Sequence, residues 1–122
     1  MPKVLIIDDA APIRQQVKNL LSEADFEMLE AVDGLDGAGK IQEHLDLSLV
    51  ICDVNMPNQN GLDMLEALSC EIIARSLPVL MLTAEGDAAA VARAKKAGAK
   101  GWIIKPFKEH ILVGAAKKLV GM

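Results

Sequence analysis

The fold is decided by the stretch Val4-Leu5-Ile6-Ile7-Asp8-Asp9, in which four apolar residues run directly into two acids. A short, continuous apolar run of this kind is typical of a strand that is buried on both faces. Helical spacing follows at once, because the apolar residues between Ile13 and Leu21 recur at intervals of three and four, and Pro12 suits the first turn of a helix. The first unit of the chain is therefore a buried strand, an acidic turn and an amphipathic helix.

The same alternation of a short apolar run and a longer helical pattern continues to the end of the chain. Further strands are predicted at Met28–Val32, Leu49–Cys52, Val79–Leu82 and Gly101–Ile104. Further helices are predicted at Leu35–Leu45, from Leu62 to Ile72, at Asp87–Ala97 and at Lys108–Val120. Five β–α units in this order predict a doubly wound α/β fold, with a parallel sheet, helices on both of its faces and right-handed crossovers.

The composition predicts one small domain with an aliphatic core. The chain has 122 residues, 52% of them hydrophobic and only 2% aromatic, so we expect a single domain over residues 1–122 without an output domain. A net charge of -4 argues against nucleic-acid binding. No apolar run approaches the roughly 20 residues of a membrane helix. The chain starts without a leader pattern, and Cys52 and Cys70 show no disulfide or metal pattern, so we expect a cytoplasmic protein.

Charged and hydroxyl residues follow four of the five predicted strands. Asp8 and Asp9 follow the first strand, Asp53 the third, Thr83 the fourth and Lys105 the fifth. Open α/β sheets bind ligands at the carboxyl ends of their strands, so we expect these side chains to converge. Each residue alone has an ordinary structural explanation, such as a helix cap, a turn former or a solvated lysine. Their combination favours a functional site.

The chemistry of this set points to phosphoryl transfer. Three converging carboxylates repel one another unless a cation joins them, and oxygen ligands of this kind suit Mg²⁺. A carboxylate oxygen that stays free can attack phosphorus. Lys105 can neutralise the phosphoryl oxygens and the Thr83 hydroxyl can donate to one of them. The sequence therefore predicts a covalent aspartyl phosphate.

The whole chain resembles the receiver domains of two-component response regulators, and within that family the stand-alone regulators of chemotaxis. The motifs that carry the resemblance are Asp8-Asp9, Asp53-Val54-Asn55-Met56-Pro57 with Gly61, Thr83-Ala84-Glu85 and Lys105-Pro106-Phe107. The resemblance implies a (βα)5 flavodoxin-like three-layer sandwich with the strand order 2-1-3-4-5. It also implies a signalling switch and not an enzyme, since such a protein catalyses only its own phosphorylation and dephosphorylation.

The resemblance further implies a role for each motif residue. Asp53 would be the phosphoacceptor, with Thr83 and Lys105 in contact with the phosphoryl group. The magnesium ligands would be Asp8, Asp9, Asp53 and the backbone carbonyl of Asn55. The residues that flank the phosphoryl group would be Asn55, Ala84 and Glu85.

The resemblance also implies a switch and a cis peptide bond. Thr83 would be the switch hydroxyl, coupled to Trp102 at a position where the family usually has Tyr or Phe. Trp102 is equally well explained as a packing residue of the last strand. The bond before Pro106 is expected to be cis. Val54 stands where the chemotaxis regulator has Trp, so we expect partner recognition to differ from that of the relative.

The function implied is a phosphorylation-controlled switch. A sensor histidine kinase would phosphorylate Asp53, and the chain would then bind a downstream protein such as the flagellar switch, with a phosphatase as a further partner. A phosphorelay intermediate, or a phosphate sink that does not act on the motor, would use the same residues. A small aspartyl-phosphate phosphatase would require a second Asp where Asn55 stands. A flavodoxin-like cofactor binder would require a phosphate loop in place of Asp8-Asp9.

Overall fold

The computed structural model describes residues 1–56, 58–84 and 88–121, and all five predicted strands lie within them. The strands are β1 (Lys3–Ile7), β2 (Glu27–Ala31), β3 (Leu47–Cys52), β4 (Val79–Thr83) and β5 (Ala99–Ile104). They form one parallel sheet in the order β2-β1-β3-β4-β5. The fold class and the strand order 2-1-3-4-5 are thereby confirmed.

The helices connect successive strands and close the chain. They are α1 (Ala11–Glu23), α2 (Gly34–Glu43), α3 (Gly61–Ala67), α4 (Ser69–Ala74), α5 (Ala88–Lys96) and α6 (Glu109–Val120). Asp87, the predicted start of the helix that forms α5, lies outside the described residues. Within the described part of the chain, no helix combines the length and the apolar character that a membrane span requires.

The single helix predicted from Leu62 to Ile72 is wrong, because the chain forms two helices that meet at Leu68. Leu68 has φ -102° and ψ 8°, which depart from helical values. Its side chain still packs against the same core as Ile72. The apolar spacing therefore continues through the break and could not reveal it.

The core consists of two clusters, one on each face of the sheet. Strand β1 shows the alternation: Val4 and Ile6 pack on the side of α1 and α6, while Leu5 and Ile7 pack on the side of α2 to α5. All four side chains are fully buried. A strand covered on both faces has no solvent-facing positions, which explains why its sequence is uniformly apolar.

The strand order also places the crevice where ligands bind in such folds. β1 and β3 are neighbours in the sheet although β2 lies between them in sequence. The connections on the two sides of this pair run in opposite directions, so a crevice opens at the carboxyl ends of β1 and β3. Asp8 and Asp53 directly follow these two strands.

Candidate functional site

Three carboxylates meet in the crevice between β1 and β3. Asp8, Asp9 and Asp53 each offer one carboxylate oxygen, and these oxygens lie within 4.8 Å of one another. Asp8 is fully buried and Asp53 is only 7% exposed, whereas Asp9 is open to solvent. The strand ends therefore bring together acids that are far apart in the sequence, two of them in a weakly hydrated position.

Lys105 reaches the two buried acids from the end of β5. Its Nζ donates to Asp8 Oδ2 at 2.8 Å and lies 3.4 Å from Asp53 Oδ2. Burial of the ammonium group opposes its charge, but the hydrogen bond to Asp8 and the charges of Asp8 and Asp53 outweigh this and raise the pKa of Lys105. Lys105 is therefore a fixed cation of the site.

The Asp53 carboxylate accepts hydrogen bonds from two groups, yet its surroundings still disfavour the ionised form. Its Oδ1 accepts a hydrogen bond from the Val54 N–H at 2.8 Å, and the Thr83 side chain also donates to the carboxylate. Burial and the charge of Asp8 raise the pKa of Asp53, and the opposing effects of Lys105, Thr83 and the Val54 N–H do not cancel them. A further positive charge near Asp53 would relieve this imbalance.

The donor set fits Mg²⁺. Three carboxylates face one ammonium group, which leaves two negative charges without a partner in the cluster. Hard oxygen ligands of this charge match the preference of Mg²⁺, which also retains several waters, and the exposed Asp9 leaves room for them. The residues that would hold the ion are Asp8, Asp9 and Asp53, with the backbone carbonyl of Asn55 from the same loop as Asp53.

The loop after β3 is fastened to the turn after β2 by contacts that the sequence analysis did not identify. Asp33 is buried, and its carboxylate accepts from the Asp36 N–H at 2.8 Å and from Asn58 Nδ2 at 2.6 Å. The Gly34 N–H donates to the carbonyl of Gln59 at 3.1 Å. An Asp directly before the first residue of a helix is a helix-cap signal, and this signal in the sequence could have indicated the role of Asp33.

Gly61 allows α3 to begin directly against the Asp53 backbone. Its N–H donates to the Val54 carbonyl at 2.8 Å. A Cβ at position 61 would lie 2.0 Å from the Asp53 carbonyl oxygen, far inside van der Waals contact. The loop that leaves Asp53 and the helix that follows it can therefore close on each other only if residue 61 lacks a side chain.

The other predicted site residues lie on β4, on β5 and in the connections that follow them. Thr83 is fully buried at the end of β4, and its carbonyl accepts from the Lys105 N–H at 2.8 Å. Trp102 is half-buried on β5, beside a cavity of about 40 Å³ next to α5. Ala84 is exposed, and the Lys105–Pro106 peptide bond is cis. Glu85 and Pro57 lie outside the described residues.

Known proteins resemble this chain over nearly its full length. Residues 4–117 match the family model of the response regulator receiver domain. Chemotaxis protein CheY1 of Helicobacter pylori is 35% identical over 120 residues, which are 98% of this chain and 97% of the relative. The CheY homolog of Campylobacter jejuni is 32% identical over 98% of this chain and 92% of its own length.

The solved structures agree with the sequence relatives. The structure of the Vibrio cholerae chemotaxis protein CheY4 aligns with a TM-score of 0.89 and 34% identity over 98% of each chain. A receiver domain from Clostridium thermocellum aligns with the same TM-score and 30% identity, over 99% of this chain and 95% of the other. With the family model spanning the sheet and the acidic crevice alike, the chain belongs to the response regulator receiver domain family.

Proposed function

We propose that the chain is a single-domain response regulator that accepts a phosphoryl group from a sensor histidine kinase onto Asp53, with Mg²⁺ bound. The observation that carries this proposal is the environment of Asp53. Its carboxylate is buried at a strand end, its pKa is raised by burial and by Asp8, and Lys105 and Thr83 lie against it. These are the groups that positioning and charge neutralisation of a phosphoryl group require.

In the transfer step, an Asp53 carboxylate oxygen attacks the phosphorus of a phosphohistidine. The new P–O bond forms as the P–N bond breaks, and the electron pair of that bond stays on the imidazole nitrogen, which takes up a proton from solvent. Mg²⁺, when bound, would neutralise negative charge on the phosphoryl oxygens. Lys105 Nζ, which lies 3.4 Å from Asp53 Oδ2, would contact a phosphoryl oxygen on another side.

Thr83 and Trp102 would convert phosphorylation into a change of surface. Thr83 pairs with Ile104 across the β4–β5 ladder, and Trp102 pairs with Met81, so the two candidate switch residues lie on the same face of the sheet. The cavity beside Trp102 supports a repacking of the indole when the Thr83 hydroxyl moves toward the phosphoryl group. A bistable element of this kind is what a phosphate-driven switch requires.

The pathway we propose is chemotaxis or motility, with the protein in the cytoplasm and a flagellar switch protein as the downstream target. The support comes from relatives whose names identify them as chemotaxis proteins. Phosphorylated chain that binds a flagellar switch protein, with no binding by unphosphorylated chain, is the expected result. Rapid return of the phosphoryl group to a histidine donor, with no target bound, would instead identify a relay intermediate or a phosphate sink.

Incubation with Mg²⁺ and acetyl phosphate, followed by intact mass spectrometry, tests the chemistry directly. The parent is expected to gain one phosphoryl mass, and the adduct should be absent from Asp53→Asn and from a magnesium-free sample. Asp63→Asn is the matched control, because Asp63 is an exposed acid of α3 that pairs with Arg93 and lies outside the cluster. An adduct that survives Asp53→Asn, or the lack of any adduct on the parent, would contradict the proposal.

The switch is tested through the fluorescence of Trp102, the only tryptophan of the chain. Phosphorylation, or beryllofluoride with Mg²⁺, is expected to change the emission of the parent. Thr83→Ala should form the phosphoryl adduct and show little of the emission change, since the hydroxyl that we propose couples Asp53 to Trp102 is absent. An unchanged response of Thr83→Ala would remove Thr83 from the switch.

Continuous turnover of an external phosphoester would identify an enzyme instead.

A further inference from the structure

Arg14, on α1, holds the main chain at the point where β1 ends. Its Nη1 donates to the Asp8 carbonyl oxygen at 2.7 Å, and its Nε donates to Glu30 Oε1 at 2.9 Å. The Arg14 side chain is only 14% exposed. A planar guanidinium that bonds two different partners has a fixed orientation, so the Asp8 carbonyl is tied to the edge strand β2 through Glu30.

Glu30 is itself a firm anchor for Arg14. Lys18 Nζ donates to Glu30 Oε2 at 2.5 Å, and Lys40 Nζ donates to the Glu30 carbonyl at 2.6 Å. Hydrogen bonds from Lys18 and Arg14 hold the pKa of Glu30 below its ordinary value, so this carboxylate is ionised at neutral pH. Arg14 and Lys18 therefore share one anionic partner, but of the two only Arg14 also contacts the Asp8 main chain.

The Asp8 carbonyl matters because it belongs to the peptide plane that joins Asp8 to Asp9. Fixing its oxygen fixes the plane from which the Asp9 residue leaves the strand. The Asp8 carboxylate has partners of its own, the Ala10 N–H at 2.9 Å and Lys105. In residues 1–56, 58–84 and 88–121, by contrast, the Asp9 carboxylate is exposed and makes neither a hydrogen bond nor an ion pair, so its direction depends on the main chain.

We propose that Arg14 is a positioning residue for Mg²⁺, which aims the Asp9 carboxylate at the ion by clamping the Asp8–Asp9 peptide. This inference rests on the magnesium site of the proposed function. Groups that orient metal ligands change metal affinity by roughly 10- to 100-fold when they are removed. The charge of Arg14 has the opposite effect, because a cation near the site repels Mg²⁺ and its loss alone would tighten binding.

The test compares Mg²⁺ dissociation constants from calorimetry, together with Tm in metal-free buffer, for the parent chain and four variants. Arg14→Ala removes both contacts, and Arg14→Lys keeps the charge without the two-sided geometry. Lys18→Ala is the matched control, because it removes the same charge and a Glu30 contact but nothing at Asp8. Glu30→Gln weakens the ion pair while it leaves the donor to the Asp8 carbonyl in place.

We expect Arg14→Ala to weaken Mg²⁺ binding by roughly tenfold and Arg14→Lys by less, with Lys18→Ala and Glu30→Gln within about twofold of the parent. If Arg14→Ala does not fold, the Mg²⁺ dissociation constant of Arg14→Lys decides whether the inference holds, because that variant retains the charge and an aliphatic stem. Lower Tm in the Arg14 variants and Glu30→Gln alike, with unchanged dissociation constants, would assign Arg14 to fold stability alone and overturn the inference. A parent that binds no Mg²⁺ would overturn the magnesium site as well.

Discussion

Gly61→Ala should damage both the stability of the protein and its phosphorylation, although it adds only one methyl group. The new Cβ would lie 2.0 Å from the Asp53 carbonyl oxygen, whereas ordinary contacts begin at 3.4 Å. The loop or the start of α3 must therefore move by about 1.4 Å, and the atom that it meets is backbone, not a flexible side chain. Gly61 is outside the left-handed region, so the expected effect is purely steric.

A forced shift of this size costs about 2 kcal/mol, in the range found for overpacked interiors. For a chain of this length that lowers Tm by roughly 8 °C. The displaced residue, Asp53, is the proposed phosphoacceptor, and misplacement of a reacting group by about 1 Å can slow a reaction by roughly a hundredfold. We therefore expect phosphorylation by acetyl phosphate to fall by roughly ten- to a hundredfold.

Gly114→Ala is the matched control, because a Cβ at this position of α6 meets nothing within 4 Å. It should raise the free energy of unfolding by about 0.5–1 kcal/mol through helix propensity and leave phosphorylation unchanged. Urea unfolding and the rate of adduct formation by intact mass measure both effects. A Gly61→Ala protein with the stability and the rate of the parent would refute the claim that this close approach constrains the site.

Two further predictions concern ionisable groups. Burial raises the pKa of the Cys52 thiol, so in the native protein a thiol reagent should modify the exposed Cys70 alone, and Cys70→Ala should react only after unfolding. Hydrogen bonds from Lys18 and Arg14 lower the pKa of Glu30 in the folded state, so Glu30→Gln should be less stable than the parent at pH 7. That difference in stability should disappear as the pH falls below the ordinary pKa of a glutamate and then below the lowered pKa of Glu30. A difference that persists in acid would contradict the ion pair as its source.

The central strands were predictable from the sequence because the buried part of each is a short apolar run and a polar residue stands at its carboxyl end. Val4 to Ile7 show this most clearly, since burial on both faces leaves no position for a polar side chain. Helix ends were less predictable. Leu45 extended the second predicted helix by apolar character alone, but it is 75% exposed and lies beyond the end of α2 at Glu43.

The acids and the lysine of the site could be predicted because parallel strands deliver their ends to one edge. The contacts that support them could not, because they join residues without a periodic relationship. Asn58 donates to Asp33 across 25 positions of the chain. The backbone of Asn58 is left-handed, with φ 68°, and no apolar or charge pattern in the sequence indicates this conformation. Arg14 likewise contacts a backbone carbonyl, a partner that every residue offers and no sequence pattern marks.

The ion pair between Lys105 and Asp8 joins residues that are 97 positions apart. It forms only after β5 has been added to the sheet that already contains β1, the first strand of the chain, so the entropy of closing nearly the whole polypeptide must be overcome before the site exists. No fragment or partly folded intermediate that lacks β5 can contain it. The fraction of molecules that take up a phosphoryl group should therefore report the fraction that has folded completely. Any ligand of the site should likewise delay global unfolding and not merely the fraying of one loop.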